Sequence, residues 1–449
     1  MELFGKFKKL SSFQLIIFGF MAVILIGSFI LMLPVSRNES GSSSFMDALF
    51  TATSAVCVTG LIVHDTATYW SEFGQFVIMA LIQIGGIGVI TVAISITIFS
   101  GKKIGLVQRS TMQEAISAPQ VGGIVRLTGF ILKGTLIIEA IGAAVMAPVF
   151  CRDFGIGKGL WYSIFHSVSA FCNAGFDLMG LKEPLSSLTT YQSNPIVNLA
   201  IIFLIIIGGL GFLTWNDIKV NKFHIKKYRM QSKIIITVTA ILILLPAIYF
   251  YFCEFSNEKW EHLSVGDKIL CSLFQAVTPR TAGFNTVDLN EFSQAGQAII
   301  VILMLIGGSP GSTAGGMKTT TIAVLIVTMI AVFRRRESAQ CFGRRFPPET
   351  IRNAATILMM YIILFLFGGI FISTVDGLPI QTAFFEAASA VGTVGLSLGV
   401  TSTLCGLSKI VLIILMYLGR VGGLTVIFAV SSRLNSNISK LPLDKITVG

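Results

Sequence analysis

A four-residue pattern with glycine at its third position occurs four times along the chain. The copies are VTGL at 58–61, NAGF at 173–176, TAGF at 281–284 and TVGL at 393–396, with glycines 115, 108 and 112 residues apart. Each copy follows a short amphipathic segment and precedes a long apolar run. Glycine accepts positive φ, and backbone carbonyls in such irregular loops can replace the water around a cation. The pattern predicts four copies of one membrane loop beside an ion pathway.

The composition is that of a polytopic membrane protein. Of the 449 residues, 53% are hydrophobic and only 12% are charged, whereas soluble domains carry about 25% charged residues. Near the N-terminus, Lys6, Lys8 and Lys9 precede an uncharged run at 13–33. This arrangement is similar to a signal peptide, but the run is too long and lacks a small-residue cleavage site. We interpret it as a retained first helix.

The net charge of +11 has a distribution that is typical of membrane topology. Of the 33 Lys and Arg residues, 22 lie in the segments 6–9, 102–126, 219–233, 334–352 and 433–445. The alternate segments hold few. This asymmetry predicts that the basic segments and both termini are cytoplasmic. The alternative, a basic face that binds nucleic acid, does not account for the alternation, and we expect no nucleic-acid partner.

The fold class predicted from these patterns is an all-α polytopic membrane protein with four tandem repeats. The repeats cover 1–100, 101–218, 219–335 and 336–449, and the last includes a short cytoplasmic tail. Each begins with a long helix, at 13–33, 128–150, 233–252 and 353–374. A short segment follows, at 45–56, 159–171, 266–278 and 380–391. Each repeat ends with a second long helix, at 73–99, 195–215, 293–333 and 408–431. Because a crossing needs ~20 residues, the short segments are re-entrant. Eight transmembrane helices and four pore loops, all in one orientation, would surround a pseudo-fourfold central pore.

The short segments align with one another. Phe50, Phe165 and Phe385 lie ten residues before their glycines, and Phe274 lies nine before. Six residues before the glycines are Ser54, Ser169, Val277 and Ser389. We expect the aromatic rings to pack in the core. A short helix that ends at the loop directs its C-terminal carbonyls, about half a negative charge, at a cation.

The four-repeat pattern with these four loops resembles the Trk/Ktr/HKT superfamily of potassium transporters over essentially the whole chain. It is most similar to the membrane, ion-translocating subunit of bacterial Ktr systems. The resemblance implies a selectivity filter with one carbonyl column per loop, at 57–60, 172–175, 280–283 and 392–395. Glycine in all four loops goes with potassium selectivity in that family, whereas serine at the first position goes with sodium transport in some relatives. Gly60 therefore favours K⁺, although only 393–395 keeps the TVG of potassium channels.

The ion-binding residues implied by this resemblance are those around the four glycines. They are Val58, Thr59, Gly60, Asn173, Ala174, Gly175, Thr281, Ala282, Gly283, Thr393, Val394 and Gly395. We expect K⁺ there, no cofactor and no transition-metal site. Cys57 and Cys172 share one repeat position, but Arg280 and Gly392 occupy it in the other loops, which argues against a metal. Arg280 is expected to donate to carbonyls of its own loop.

A broken helix below the third loop is a candidate gate. The stretch 306–316 contains five glycines and a proline, which an uninterrupted helix does not tolerate. The predicted gate residues are Gly307, Gly308, Pro310, Gly311, Gly315, Gly316, Lys318 and Arg420. An arginine at bilayer depth costs at least ~2.5 kcal/mol, so Arg420 should face a cavity or partner. We expect it to contact carbonyls of 307–316. Lys318 either helps to repel cations or extends toward the cytoplasm. A static kink is the alternative to a gate.

Other features exclude further functions. The GGxG runs at 85–88 and 208–211 lie within predicted membrane helices and indicate close helix packing rather than nucleotide binding. The four His residues are scattered and no carboxylate pair faces another, so we expect no enzyme. Asp47, Asp65, Asp177, Asp267, Asp288, Asp376 and Glu386 lie at the predicted outer ends, where they would concentrate cations.

The predicted function is potassium uptake through a gated, channel-like filter, driven by the membrane potential. The alternatives are a Na⁺-selective or Na⁺-coupled relative and a sensor that transports nothing. The resemblance implies a homodimer in the cell membrane, regulated by a cytosolic ring of nucleotide-binding (RCK-type) subunits. The basic loops at 102–126, 219–233 and 334–352 are candidate docking surfaces for that ring.

Overall fold

Helices form nearly all of the regular structure in a computed structural model that describes residues 11–38, 41, 43–99, 105–116, 122–423, 425 and 427. The first quarter contains α1 (Ser12–Leu31), α2 (Phe45–Val56), α3 (Glu72–Ile87) and α4 (Val89–Phe99). The second contains α5 (Leu106–Ile116), α6 (Ile124–Phe154), α7 (Ile156–Phe171), α8 (Pro195–Gly209) and α9 (Phe212–Asn221).

The second half of the chain has the same character. The third quarter contains α10 (Met230–Tyr249), α11 (Val265–Val277), α12 (Gln294–Leu305) and α13 (Thr319–Phe333). The fourth begins with a small antiparallel hairpin of β1 (Gln340–Cys341) and β2 (Arg344–Arg345). It continues with α14 (Pro348–Asp376), α15 (Ile380–Gly392) and α16 (Gly406–Val421). The predicted cytoplasmic termini, including the basic segments 6–9 and 433–445, lie outside the described residues.

Polar caps explain where several helices begin. The Ser11 side chain accepts a hydrogen bond from the backbone N–H of Gln14 and starts α1 in a capping box. Ser44, Ser71 and Ser264 cap α2, α3 and α11 in the same way. Such a cap satisfies one of the four free N–H groups at a helix start. The short segments therefore begin close to the residues where the sequence predicts them.

Two of the long helices predicted from the sequence are bent, contrary to prediction. The sequence predicts single helices at 73–99 and 195–215, but α3 and α4 are bent by 95° at Gly88, and α8 and α9 by 95° at Gly211. These glycines have φ values of +97° and +88°, and Gly422 at the end of α16 has +87°. A residue with a Cβ rarely adopts this conformation, which terminates the α-helical hydrogen-bond ladder. The GGxG runs therefore lie at helix ends rather than inside helices.

The long helices provide the membrane crossings. By length and composition α1, α6, α14 and the run Met230–Glu254 can each span a bilayer, and the two bent pairs bring the possible number to six among the described residues. The apolar helices α12 and α13 are shorter than a full span. The chain is thus a multi-pass membrane protein, and the eight expected crossings stay a prediction.

The buried core surrounds the short helices α2, α7, α11 and α15. Phe50, Phe165, Phe274 and Phe385, one from each, are fully buried. By contrast, only 22–33% of the best 18-residue windows of the long helices is buried. A helix that exposes apolar residues on most of its surface is adapted to lipid. The long helices therefore form an outer shell around the short ones.

Glycines let the second helices approach the ends of the short helices. A Cβ added to Gly85 would overlap the carbonyl oxygen of Val56, the last residue of α2. A Cβ on Gly208 would likewise overlap the carbonyl oxygen of Phe171, the last residue of α7. One on Gly419 would overlap the carbonyl oxygen of Val391, near the end of α15. The predicted close packing at the two GGxG runs is therefore present, although it joins a second helix to a short helix.

We predict that Gly85→Ala destabilises the protein, because the new methyl group meets backbone that cannot rotate away. Overpacking of this kind costs about 1–3 kcal/mol. Gly129→Ala in α6 is the matched control, since nothing lies within 4 Å of a Cβ there. Thermal unfolding of the detergent-purified protein measures both variants. A melting temperature lowered equally by the two substitutions would contradict the proposed packing.

Candidate functional site

The four glycine loops share one backbone conformation. The glycine has positive φ in every loop, with values of +87°, +69°, +81° and +94° for Gly60, Gly175, Gly283 and Gly395. The residue two positions earlier also has positive φ, and these residues are Val58, Asn173, Thr281 and Thr393. Valine and threonine in this region cost about 1–3 kcal/mol each, so the surroundings must hold the loops in place.

One backbone hydrogen bond recurs in all four loops. The N–H of the residue before the glycine donates to the carbonyl of a serine or threonine at the end of the short helix. The pairs are Thr59 to Ser54 at 2.8 Å, Ala174 to Ser169 at 2.8 Å, Ala282 to Thr278 at 3.0 Å and Val394 to Ser389 at 2.8 Å. This bond turns the chain back on itself directly after each short helix.

The hydroxyl groups of the same four residues add a second bond. Ser54 and Ser389 accept the N–H of Gly60 and Gly395 at 3.1 and 3.0 Å. Ser169 donates to the carbonyl of Phe176 at 2.7 Å, and Thr278 donates to that of Phe284 at 2.6 Å. The sequence alignment of Val277 with the three serines is therefore wrong. The third loop is one residue shorter, and counting from Phe274 instead of from the glycine gives Thr278.

In the second, third and fourth loops, the residue after the buried phenylalanine forms hydrogen bonds with the outgoing part of the loop, a role that the sequence analysis missed. His166 Nε2 accepts the N–H of Leu178 at 3.3 Å. Gln275 donates to Asn285 and Thr286 at 3.0 and 3.4 Å. Glu386, predicted only as an acid at the outer mouth, is fully buried.

The Glu386 carboxylate accepts bonds from three residues of the outgoing loop. They are the N–H of Leu398 at 3.3 Å, the hydroxyl of Thr401 at 2.8 Å and the hydroxyl of Ser397. The sequence signal available for this role was position, because Glu386 directly follows an aligned phenylalanine, as His166 and Gln275 do. The signal is weak because the residue type at this position differs in each loop.

The loops contact one another in a closed ring. A Cβ on Gly60 would overlap the carbonyl oxygen of Ala174, and one on Gly175 would lie 2.6 Å from that of Ala282. A Cβ on Gly283 would overlap the carbonyl oxygen of Val394, and one on Gly395 would overlap that of Thr59. Each glycine thus packs against the next loop in chain order, and the fourth loop closes on the first. A side chain at any of these glycines would separate two neighbouring loops.

The main-chain oxygens closest to the four glycines differ from other carbonyls of the loops, since those of Phe176, Arg280 and Phe284 accept hydrogen bonds from side chains. No N–H or O–H within the described ranges donates to the main-chain oxygen of any of the twelve residues predicted to bind the ion. All of these residues except Gly395 are buried. The hydroxyl oxygens of Thr59 and Thr393 and the amide oxygen of Asn173 are also buried without a partner in this part of the chain. Buried oxygens normally have a partner, so this cluster can accept a cation or water.

A cavity of about 550 Å³ opens on one side of the ring. It is lined by the four glycines and by Asp177 and Asp288. Burial raises the pKa of the Asp177 carboxyl to about 7. Of the other acids expected at the mouth, Asp65 caps a helical turn, Asp376 accepts the N–H of Cys405, and Asp47 pairs with His64 at 3.2 Å. Asp267 is held by Ser264.

The segment 306–318 lies on the opposite side of the ring. A Cβ on Gly315 would overlap the hydroxyl of Thr393, and one on Gly316 would lie 2.8 Å from the carbonyl oxygen of Gly392. The segment is also fastened to α8, because Ser309 and Thr313 donate their N–H groups to the carbonyls of Gly209 and Gly208 at 3.0 and 3.2 Å. Residues 306–318 therefore pack directly against the fourth loop.

Arg420 connects this segment to the first quarter of the chain. Its guanidinium donates to the carbonyl of Thr313, as predicted for a residue of 307–316, and also to the carbonyls of Gly85 and Gly86. Because α3 ends at Ile87, these two carbonyls lie at a helix C-terminus, where a positive charge is favourable. Lys318 donates to the carbonyls of Ala314 and Gly315 at 2.8 and 3.3 Å, so it folds back on the segment instead of extending away.

Other predicted polar residues have simpler surroundings. The sequence analysis expects Arg280 to donate to carbonyls of its own loop. Within the described residues its guanidinium instead donates to the hydroxyl of Thr239 in α10, at 3.3 Å. Cys57 and Cys172 are buried free thiols. The described residues contain no group of three His, Cys, Asp or Glu side chains that could hold a metal ion.

Comparisons with known proteins agree with the resemblance found in the sequence. The TrkH family model, described as a cation transport protein, matches residues 6–440. The chain is 40% identical to the potassium/sodium uptake protein NtpJ of Enterococcus hirae, over 98% of both proteins. It is 39% identical to the Ktr system potassium uptake protein B of Bacillus subtilis, over 95% of this chain and 94% of that protein. The fold is similar to that of the potassium transporter TrkH of Vibrio parahaemolyticus, with a TM-score of 0.72 and 21% identity over 93% of this chain and 84% of that one.

We predict that Glu386→Ala destabilises the fourth loop, because the Leu398 N–H and the Thr401 hydroxyl lose their acceptor. Unsatisfied buried donors cost about 1–3 kcal/mol. Glu386→Gln keeps one acceptor oxygen and should recover part of the loss. Glu291→Ala, which removes an exposed acid beside the same cavity, should change thermal unfolding little. Equal melting temperatures for Glu386→Ala and Glu291→Ala would contradict the assigned role.

Proposed function

Because the chain belongs to the TrkH family of cation transport proteins, we propose that it takes up potassium ions through a pore between the four glycine loops. The observation that carries this proposal is the ring of loops whose buried carbonyls have no donor. A dehydrated cation supplies what these oxygens lack. The names of the two similar uptake proteins support potassium as the ion.

The proposed filter is built from the residues named in the sequence analysis. The carbonyls of 58–60, 173–175, 281–283 and 393–395 coordinate K⁺, and the free hydroxyls of Thr59 and Thr393 offer two further oxygens. Four short helices end at these loops, so their C-terminal dipoles stabilise the ion without a buried carboxylate. The contacts of each glycine with the next loop support this arrangement.

The proposed architecture is pseudo-fourfold. Four repeats, at 1–100, 101–218, 219–335 and 336–449, each contribute two membrane-crossing elements and one re-entrant loop, giving eight crossings in all. The ring of contacts in chain order supports the symmetry. The bends at Gly88, Gly211 and Gly422, with φ values within ten degrees of one another, support equivalent second helices in three repeats.

The proposed gate is the segment 306–318 with Arg420. The segment owes its non-helical path to Gly307, Gly308, Pro310, Gly311, Gly315 and Gly316. Two half-buried cations, Lys318 and Arg420, lie beside it. A fixed positive charge on the pathway raises the energy of a passing K⁺. Opening requires displacement of the segment from the fourth loop and release of the Thr313 carbonyl from Arg420.

Regulation and assembly are proposed from the same resemblance. The protein is a homodimer in the cell membrane with cytoplasmic termini, and a cytosolic ring of nucleotide-binding subunits controls the gate. The membrane potential drives uptake, at ~2.3 kcal/mol per charge per 100 mV. A Na⁺-selective or Na⁺-coupled transporter is the second candidate, because one similar protein is named for both potassium and sodium.

Uptake of ⁸⁶Rb⁺ into proteoliposomes under a K⁺ diffusion potential tests the proposed function. We expect uptake that excess K⁺ abolishes and that equimolar Na⁺ reduces only slightly. Stronger competition by Na⁺ than by K⁺ would favour the sodium transporter. Absence of uptake by folded protein, together with failure to support growth of uptake-deficient cells on limiting K⁺, would reject transport by this chain.

We predict that Gly60→Ser lowers the preference for K⁺ over Na⁺. The side chain would overlap the Ala174 carbonyl and strain a backbone with φ of +87°. Strain of about 1–3 kcal/mol at one coordination site corresponds to a change in selectivity of about 5- to 140-fold. Gly399→Ser is the matched control, because Gly399 has the same φ of +87° but nothing within 4 Å of a Cβ. Rb⁺ uptake with Na⁺ competition distinguishes them, and unchanged selectivity in Gly60→Ser would count against the filter.

We predict that Arg420→Gln increases the maximal rate of Rb⁺ uptake by about tenfold, which corresponds to ~1.4 kcal/mol of barrier. Glutamine keeps N–H donors for the Thr313 carbonyl but removes the charge. Arg126→Gln, at an exposed position of α6, is the control. A variant that folds with wild-type stability and transports at the wild-type rate or more slowly would contradict the gating role of Arg420.

A further inference from the structure

Two neighbouring grooves lie beside the start of α10, away from the glycine loops. The first, of about 260 Å³, is lined by Ile225, Lys226, Lys233, Ile236, Thr237 and Phe342. The second, of about 440 Å³, is lined by Ile218, Lys219, Lys222, Phe223, Ile225, Tyr228 and Ile236. They share Ile225 and Ile236, so together they form one continuous apolar groove edged by lysines.

The groove continues the lipid-facing surface of α10. Thr237, Ile241, Leu244, Leu245 and Ile248 recur at the spacing of one helix face, and all are exposed. On a membrane helix such an exposed apolar stripe contacts acyl chains. Lys233 lies one turn before this stripe on the same face, and its Nζ donates to the carbonyl of Lys226 at 2.8 Å. An acyl chain on the stripe therefore ends at two lysines.

Exposed aromatic side chains frame the groove. Phe223 is 97% exposed and Phe342, in the turn between β1 and β2, is 49% exposed. Burial of a phenylalanine side chain contributes about 1.5–3 kcal/mol, so leaving both in water is unfavourable. Aromatic residues at this depth are typical of the interface between acyl chains and headgroups. The β-hairpin thereby adds an apolar wall from a segment far along the chain.

The charge of the groove has one sign. Lys219, Lys222, Lys226 and Lys233 line it, and no acidic residue does. The nearby Asp217 is buried, and its carboxylate accepts hydrogen bonds from the Ser232 hydroxyl and the backbone N–H of Arg229. It does not line the groove. Clustered lysines beside an apolar surface fit an anionic headgroup rather than a zwitterionic one.

We propose that this groove binds an anionic phospholipid of the cytoplasmic leaflet. The phosphate contacts Lys226 and Lys233, and one acyl chain follows the stripe from Thr237 to Ile248. The continuity of the groove with that stripe favours a lipid over a protein partner. The site is separate from the proposed filter and gate, because no described residue of the four glycine loops or of 306–318 lines it. Its place in the cytoplasmic leaflet rests on the proposed topology.

Binding of an acyl-labelled fluorescent phosphatidylglycerol to the detergent-purified full chain tests the proposal. We expect Lys226→Gln/Lys233→Gln to weaken binding by roughly 30-fold, from about fivefold per lysine. Phe223→Ala should weaken it by a smaller factor. Lys158→Gln/Lys259→Gln, which removes two exposed lysines from other surfaces, should leave binding unchanged, and added salt should weaken the wild-type interaction.

Several outcomes would overturn the site. If phosphatidylcholine with the same label bound equally well, the site would not require an anionic headgroup. If Lys226→Gln/Lys233→Gln bound the lipid as tightly as the wild type, these two lysines would not contact the phosphate. Formation of disulfide-linked dimers by Phe223→Cys in vesicles would show that a second copy covers the groove. The lipid-binding measurement does not use ion flux. A negative result would therefore not contradict the transport proposal, and absence of Rb⁺ uptake would not contradict the lipid site.

Discussion

The structure depends on backbone carbonyls that are held in fixed positions without accepting hydrogen bonds from the described residues. Each glycine loop adopts positive φ at two positions, which is unfavourable for Val58, Thr281 and Thr393. The loops are kept in this conformation by bonds to their N–H groups and by hydroxyls at the ends of the short helices, which leave the main-chain oxygens of 58–60 and its counterparts without donors. A buried ring of this kind is stable only with a cation or water among its oxygens. The surrounding helices serve to maintain that ring.

Two features without a counterpart at the other glycine loops, segment 306–318 and Arg420, lie on one side of the ring. Segment 306–318 replaces the simple glycine bend found at Gly88 and Gly211, and it packs under the fourth loop. Arg420 occupies the position of the second glycine in the GGxG runs and joins carbonyls from two distant parts of the chain. These contacts connect the loop ring to the segment on which we base the gate.

Several elements were predictable from sequence and others were not. The ranges of α2, α7, α11 and α15 agree closely with the predicted short segments, because amphipathic spacing is a local signal, and serine caps add a second local signal at α2 and α11. The family resemblance is confirmed by the match over residues 6–440 and by relatives at about 40% identity. The bends at Gly88 and Gly211 were missed, because the GGxG runs were interpreted as packing positions inside continuous apolar helices. Thr278 was missed because counting from the glycine ignored the shorter third loop.

The sequence by itself determined the membrane class, the four glycine loops, the short helices before them and the family, since each depends on composition or on local spacing. The tertiary structure decided which groups satisfy one another. Arg420 and Gly85 are 335 residues apart in the chain, and no local pattern specifies that the guanidinium caps α3. The same holds for Arg280, whose partner is a hydroxyl of α10 instead of its own loop. Buried polar groups bond to whatever packing brings within reach, and packing is a property of the whole fold.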